Sequence, residues 1–174
     1  MNFTQTVFEL IDMRSFSNLW YWIALAVMWS TASHYVLGVP YDMVVRASRK
    51  GRGDGGDLEA LVAIRVRRLL HIARSSGLWL VGLGALGLAV LATLGFWYGV
   101  EFAQAVFLLA MPMSIVWLMS VTTARRIERS GLAGRDLRRC LRRLRFWIQV
   151  LGVVSIFVTS LWGMYQNLSI GPLG

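Results

Sequence analysis

His34, His71 and Cys140 are the side chains of this sequence best suited to hold a metal, a haem or a reactive intermediate. A bis-histidine haem needs both ligands at nearly equal depth on facing helices. On the apolar segments set out below, the two histidines are offset by roughly three helical turns, on the order of 15 Å, so no haem is expected. One cysteine supplies neither an internal disulfide nor a CxxC metal pair, and iron–sulfur clusters typically take four thiolates. Arg138, Arg139, Arg142 and Arg143 flank Cys140. Cationic neighbours lower a thiol's pKa, which makes a redox-sensing thiol one expectation. The serine and threonine hydroxyls have no convincing base. The glycine-rich run Lys50–Asp57 (KGRGDGGD) lacks the GxxxxGK[ST] order of a phosphate loop and follows no strand. It reads as a flexible loop, with Asp57 as N-cap of a helix over 58–74. These residues point away from an enzyme, and no cofactor or metal is expected.

The arginines carry the remaining chemistry. The chain has 18 Lys+Arg against 9 Asp+Glu, a net charge of +9, and Lys50 is the one lysine. Seventeen of the 18 cations fall in two segments, 38–74 and 125–145. Arg65, Arg67, Arg68, Arg125, Arg126, Arg138, Arg139, Arg142 and Arg143 are the candidates for contact with anionic lipid headgroups or an acidic partner. Guanidinium forks suit phosphate and carboxylate, and each basic residue near an anionic leaflet contributes about 1 kcal/mol. No aromatic interleaving or fold signature points to nucleic acid.

The elements that position these charges follow from hydropathy. Of the 174 residues, 56% are hydrophobic, and the mean hydropathy is +0.57. Apolar windows of about 20 residues, the length needed to cross a bilayer, occur at 19–37, 77–100, 102–122 and 146–165, none containing Asp, Glu, Lys or Arg. Intramembrane carboxylates mark proton and cation pathways, so their absence argues against a pump or secondary transporter. Cationic loops stay in the cytoplasm. The expected architecture is therefore all-α: a four-transmembrane-helix bundle in a bacterial inner membrane, with both termini periplasmic. The segments 38–76 and 123–145 form basic cytoplasmic loops and helical extensions. Ser30-Thr31-Ala32 loosely resembles a signal-peptide cleavage site, but no positive n-region precedes it, so 19–37 is read as a span. Aromatic belts are expected at Trp20, Tyr21, Trp22, Trp97, Tyr98, Trp162 and Tyr165 on one side, and at Tyr35, Tyr41, Trp79 and Trp147 on the other.

Three further patterns concern packing. The segment 1–18 places Phe3, Val7, Leu10 and Ile11 on one helical stripe, which predicts an amphipathic interfacial helix and a candidate outer docking surface. The second span is rich in small residues, among them Gly84, Ala85, Gly87, Ala89, Gly95 and Gly99. Small residues allow close helix approach in lipid, so this span is expected to be a central packing element, within the bundle or against another chain. Pro112 predicts a kink in the third span. Beyond the membrane, Leu58, Leu61, Val62, Arg65 and Leu69 should share one side of a helix running on into the second span. Asp136 should cap a return helix with its apolar stripe at Leu137, Leu141, Leu144 and Ile148.

The stretches Phe8–Trp22, Trp29–Tyr35, Leu37–Asp42, Gly99–Leu109 and Phe157–Ser169 resemble small inner-membrane proteins of the Rhodobacter group of alphaproteobacteria, of the type labelled "component of SufBCD complex". The resemblance spans nearly the whole chain and implies a link to iron–sulfur cluster assembly, without transferring any functional residue. Three functions are expected from these readings. The first is a non-catalytic accessory or assembly subunit of a larger, bioenergetic membrane complex. The second is a homo-oligomeric anion channel or lipid-interacting protein. The third is a membrane anchor for cluster-assembly machinery.

Overall fold

The computed structural model describes residues 15–49 and 52–169. The stripe of Phe3, Val7, Leu10 and Ile11 lies outside the described residues, as does the Lys50–Gly51 part of the glycine-rich run. The described residues fold as six α-helices, α1 (Leu19–His34), α2 (Tyr41–Arg49), α3 (Arg52–Ser75), α4 (Gly77–Ala92), α5 (Glu101–Ser130) and α6 (Gly134–Ser169), with a two-stranded hairpin, β1 (Tyr35–Val36) and β2 (Val39–Pro40), between α1 and α2. The all-α class holds. Among the described residues, three helical stretches are long and apolar enough to cross a membrane: Gly77–Trp97, Glu101–Ser130 and Gly134–Leu168.

Local sequence sets the boundaries. Asn18 caps α1, its side-chain oxygen accepting from the Trp20 N–H at 3.0 Å. The helix ends at His34, three residues before the apolar window does. Leu37 and Gly38 both take positive φ, 55° and 73°, as a two-residue hairpin turn requires. The turn pairs Tyr35 with Pro40 and Val36 with Val39. β-Branched Val36 and Val39 favour extended backbone and are buried at 1% and 0% exposure.

The glycine-rich run corrects the sequence reading. From Arg52 onward it is helical, and Asp57 lies inside α3 rather than capping it. The buried side of α3 is Leu58, Val62, Val66 and Leu70, one residue every four, with Leu61 and Leu69 flanking it and Arg65 exposed. A stripe at that spacing buries one continuous side of a helix. α3 and α4 are not one straight helix: Ser76, at φ −125° and ψ 5°, breaks the run. The backbone bonds Ser76 N to Ile72 O and Leu80 N to Ser76 O, both 2.9 Å, still bridge it. α5 runs unbroken through buried Pro112 and ends at Gly131 in the left-handed conformation, its N–H returning to Ile127. α6 starts at Gly134, so Asp136 falls within its first turn instead of at the cap. The stripe Leu137, Leu141, Leu144 and Ile148 is buried, as its spacing predicts.

The main core lies at the arginine-rich end. There Leu25 and Trp29 of α1, Val36 and Val39, Val44 and Ala47 of α2, and the stripes of α3 and α6 meet Val121, Ala124 and Ile127 of α5. A smaller core at the opposite end joins Phe16, Tyr21 and Ala105. Between them, α4 buries none of its residues. The second span is therefore peripheral within this chain, not the centre of its bundle. The density of glycine and alanine signals only that close approach is possible, not which helix provides it.

Candidate functional site

Three places concentrate polar or unpartnered chemistry. At the end opposite the arginines, the chain after α4 widens into a π-helical turn, Thr93–Trp97. Its backbone bonds run from Tyr98 N to Thr93 O and from Val100 N to Leu94 O, at 3.2 and 3.0 Å. The Gly95 carbonyl takes its hydrogen bond from the Gln104 side-chain amide at 2.8 Å. Gln104 is 3% exposed. Its oxygen accepts from the Trp162 indole N–H at 2.9 Å and from the Gln166 amide. Thus Gln104 joins α5, the π-turn and α6 through one buried amide. The approach depends on glycine: a Cβ on Gly95 would lie 2.9 Å from the Gln104 backbone nitrogen. The sequence reading does not single out Gln104, an uncharged residue inside an apolar window. The signal it missed is a π-turn that leaves a carbonyl to be satisfied.

The predicted packing residues separate. Gly95 makes the close approach just described. Gly99, at φ 71°, forms the turn before α5. Gly84 and Gly87 have open space where a Cβ would be, as does Gly82, and Ala85 and Ala89 stay uncovered. Gly84 and Ala85 border a groove of about 460 Å³ between α4 and α5, whose other wall includes Ala110, Met113, Ser114 and Trp117. The glycines at the tight helix contacts are others. A Cβ on Gly152 would lie 2.8 Å from the Trp29 ring, and one on Gly163 would lie 3.3 Å from the Trp22 ring. Both are isolated among large residues in the sequence, so no small-residue pattern flags them.

The predicted arginines share one end of the molecule but not one site. Arg67 and Arg68 are exposed on α3, and Arg65 is exposed with its stem within 3.6 Å of where a Gly38 Cβ would lie. Arg125 is exposed on α5, Arg142 is exposed on α6, and Arg138 is half-buried. Arg126 of α5 and Arg139 and Arg143 of α6 converge on a groove beside Cys140. Among the described residues the ion pairs are Asp42–Arg46 and Arg74–Glu128, and neither involves these three. Arg145 instead stacks its guanidinium 3.7 Å from the centre of the Tyr41 ring. Glu59, not singled out by sequence, reaches from α3 to accept the Gly134 N–H at 2.7 Å. It satisfies an orphan donor at the start of α6.

The Cys140 environment corrects the reactive-thiol expectation. The residue is half-buried, and burial pushes its thiol pKa up, while nearby Arg126 and Arg143 pull it down by less. Desolvation outweighs the arginines because the thiolate, the charged form, loses water in the groove.

The aromatic belts divide as well. Trp20, Trp97, Tyr98 and Tyr165 are exposed, whereas Tyr21 is buried in the smaller core and Trp162 is bound to Gln104. At the arginine end Tyr35, Trp79 and Trp147 are exposed. No family model, curated protein or solved structure matches this chain.

Proposed function

We propose that this chain is a non-catalytic accessory or assembly subunit of a larger bacterial inner-membrane complex, using α4 to bind a transmembrane helix of another subunit. The observation that carries this reading is that α4, though packed along α5, buries none of its residues. Glycine in a helix interior costs about 1 kcal/mol relative to alanine. Among the described residues, no atom outside the helix's own backbone lies within 4 Å of a would-be Cβ on Gly82, Gly84 or Gly87, so no contact there offsets that cost. A partner helix lying against Gly84 and Ala85 would supply one through close backbone approach.

The proposal includes four spans, with the arginine end in the cytoplasm and both chain ends outside. Supporting this, α1 lies along α6 for its full length. Ser17 donates to Asn167 at 2.7 Å, Trp22 abuts Gly163, Trp29 abuts Gly152, and Tyr41 beyond the hairpin meets Arg145. Residues 145–167 of α6 rise roughly 33 Å, close to the thickness of a hydrocarbon core. α1 itself has 16 residues and rises roughly 24 Å; in this arrangement the turn before it and the hairpin after it complete the crossing.

Purification in mild detergent with native mass measurement tests the proposal. The expected result is a mass above the monomer containing a second polypeptide, lost on Gly84→Leu without a change in this chain's own melting temperature. Recovery as a monomer under all mild conditions overturns it. A pure homo-oligomer replaces the accessory reading with the self-associating alternative.

A further inference from the structure

We infer that the groove between α5 and α6 at the arginine end is a binding site for one anionic phospholipid, its phosphate held by Arg126, Arg139 and Arg143. This inference rests on the reading that α5 and α6 cross the bilayer, and on no assumption about a protein partner.

Two adjoining cavities, of about 230 and 240 Å³, share Arg126, Cys140 and Arg143. The first ends near the α5–α6 turn, at Leu132, Asp136 and Arg139. The second runs the other way, past Thr122 and Thr123, to Met119, Leu144 and Trp147. They lie side by side on the shared Arg126, Cys140 and Arg143, with the cationic head at Arg139 and the apolar foot at Met119, Leu144 and Trp147.

The charge balance selects an anion. Three guanidiniums line the head against one carboxylate, Asp136, and none of the three is in an ion pair among the described residues. Unneutralised arginines from two helices, Arg126 opposite Arg139 and Arg143, offer planar donor forks to a phosphate between them.

The foot selects the kind of anion. Inorganic phosphate or an acidic peptide would use the arginines and leave Met119, Leu144 and Trp147 idle. A molecule with a phosphate at one end and an acyl chain at the other uses both. The groove also sits at the matching level. Trp147 opens the apolar part of α6, and Met119 and Thr122 close that of α5. On the proposed orientation this is where headgroup gives way to hydrocarbon, and where tryptophan concentrates. Arg67, Arg68 and Arg142 carry equal charge but line neither cavity.

The full chain, purified in mild detergent, should be titrated with phosphatidylglycerol or with phosphatidylcholine and examined by native mass spectrometry. One phosphatidylglycerol should remain bound, with about tenfold preference over phosphatidylcholine, a difference equivalent to about 1.4 kcal/mol. The double variant Arg126→Gln/Arg143→Gln should abolish that preference, and the matched variant Arg129→Gln/Arg135→Gln, at exposed arginines that line neither cavity, should keep it. Equal loss in both, or equal retention of the two lipids, overturns the site. Should the double variant fail to fold, Arg139→Gln alone must still lower the preference, and an unchanged value overturns the proposal. Sodium phosphate at constant ionic strength should not displace the lipid. Displacement would reassign the groove to free phosphate.

Cys140 reports occupancy independently, because it lines both cavities. Phosphatidylglycerol should slow its alkylation, and phosphatidylcholine should not. Failure of the proposed orientation is visible separately: Cys140 in sealed vesicles would then label from the periplasmic side while detergent binding persisted.

Discussion

At the scale of single residues, space decides which small side chains matter. Gly95→Ala drives a methyl against the Gln104 backbone, and Gly152→Ala drives one into the Trp29 ring. Overpacking of this kind costs about 1–3 kcal/mol, so both variants should lower the melting temperature in detergent. Gly84→Ala and Gly87→Ala meet open space and should leave it unchanged or raise it slightly, since alanine is the better helix former. The thiol of Cys140 makes a second residue-scale prediction. Its pKa is raised above the usual thiol value, so the thiolate is scarce at neutral pH. Maleimide labelling of the folded chain should be slower at pH 7 than that of a free cysteine. It should climb with pH through and beyond the ordinary thiol range, and a rate matching free cysteine would show that the groove leaves the sulfur fully hydrated.

At the scale of elements, Glu59 ties α3 to the first turn of α6. Glu59→Ala removes the acceptor for the Gly134 N–H and should cost about 0.5–2 kcal/mol, the range for losing a helix cap. Glu59→Gln keeps an oxygen there and should cost less, as a comparison of unfolding midpoints would reveal. Periodic elements were the legible ones. Leu137, Leu141, Leu144 and Ile148 repeat at helical spacing and are buried as that spacing requires. The α3 stripe was offset because Arg65 and Leu69 fit the period as well as Val66 and Leu70 do, and period alone does not say which side meets a neighbour. Contacts made by one residue across elements were not legible. Gln104 bonds to Gly95 only because a π-turn shifts the backbone register, and hydropathy carries no trace of that shift. Gly152 and Gly163 matter because Trp29 and Trp22 approach from another helix, a fact of tertiary geometry. The helical glycine-rich run from Arg52 likewise defeats propensity: it is the lead-in to Leu58 and Glu59, whose tertiary contacts anchor it.

At the scale of the whole molecule, the charge asymmetry and the core coincide. The arginine-rich end holds the larger buried cluster, while α4 is left bare. The proposed orientation predicts opposite sidedness for the two ends of α1 and α6. In intact cells, Cys140 should be labelled only by reagents that reach the cytoplasm. A Ser17→Cys variant lacking Cys140 should be labelled by impermeant reagents from outside. If both label from one side, α1 does not cross, and the span count falls to three.

The location of the larger core also bears on how the chain is made. Leu58, Val62, Val66 and Leu70 share the larger core with Leu137, Leu141 and Leu144, and Glu59 waits 75 residues for Gly134. At roughly 5–20 residues per second, synthesis of that interval takes about 4–15 s. Throughout it, α3 can pack on α2 and then on α5 but lacks the α6 part of its core, and on the proposed orientation that unfinished core faces the cytoplasm, within reach of chaperones and proteases. Survival of the nascent protein is therefore a race between elongation and surveillance, and a ribosome stalled before residue 134 hands its product to the second.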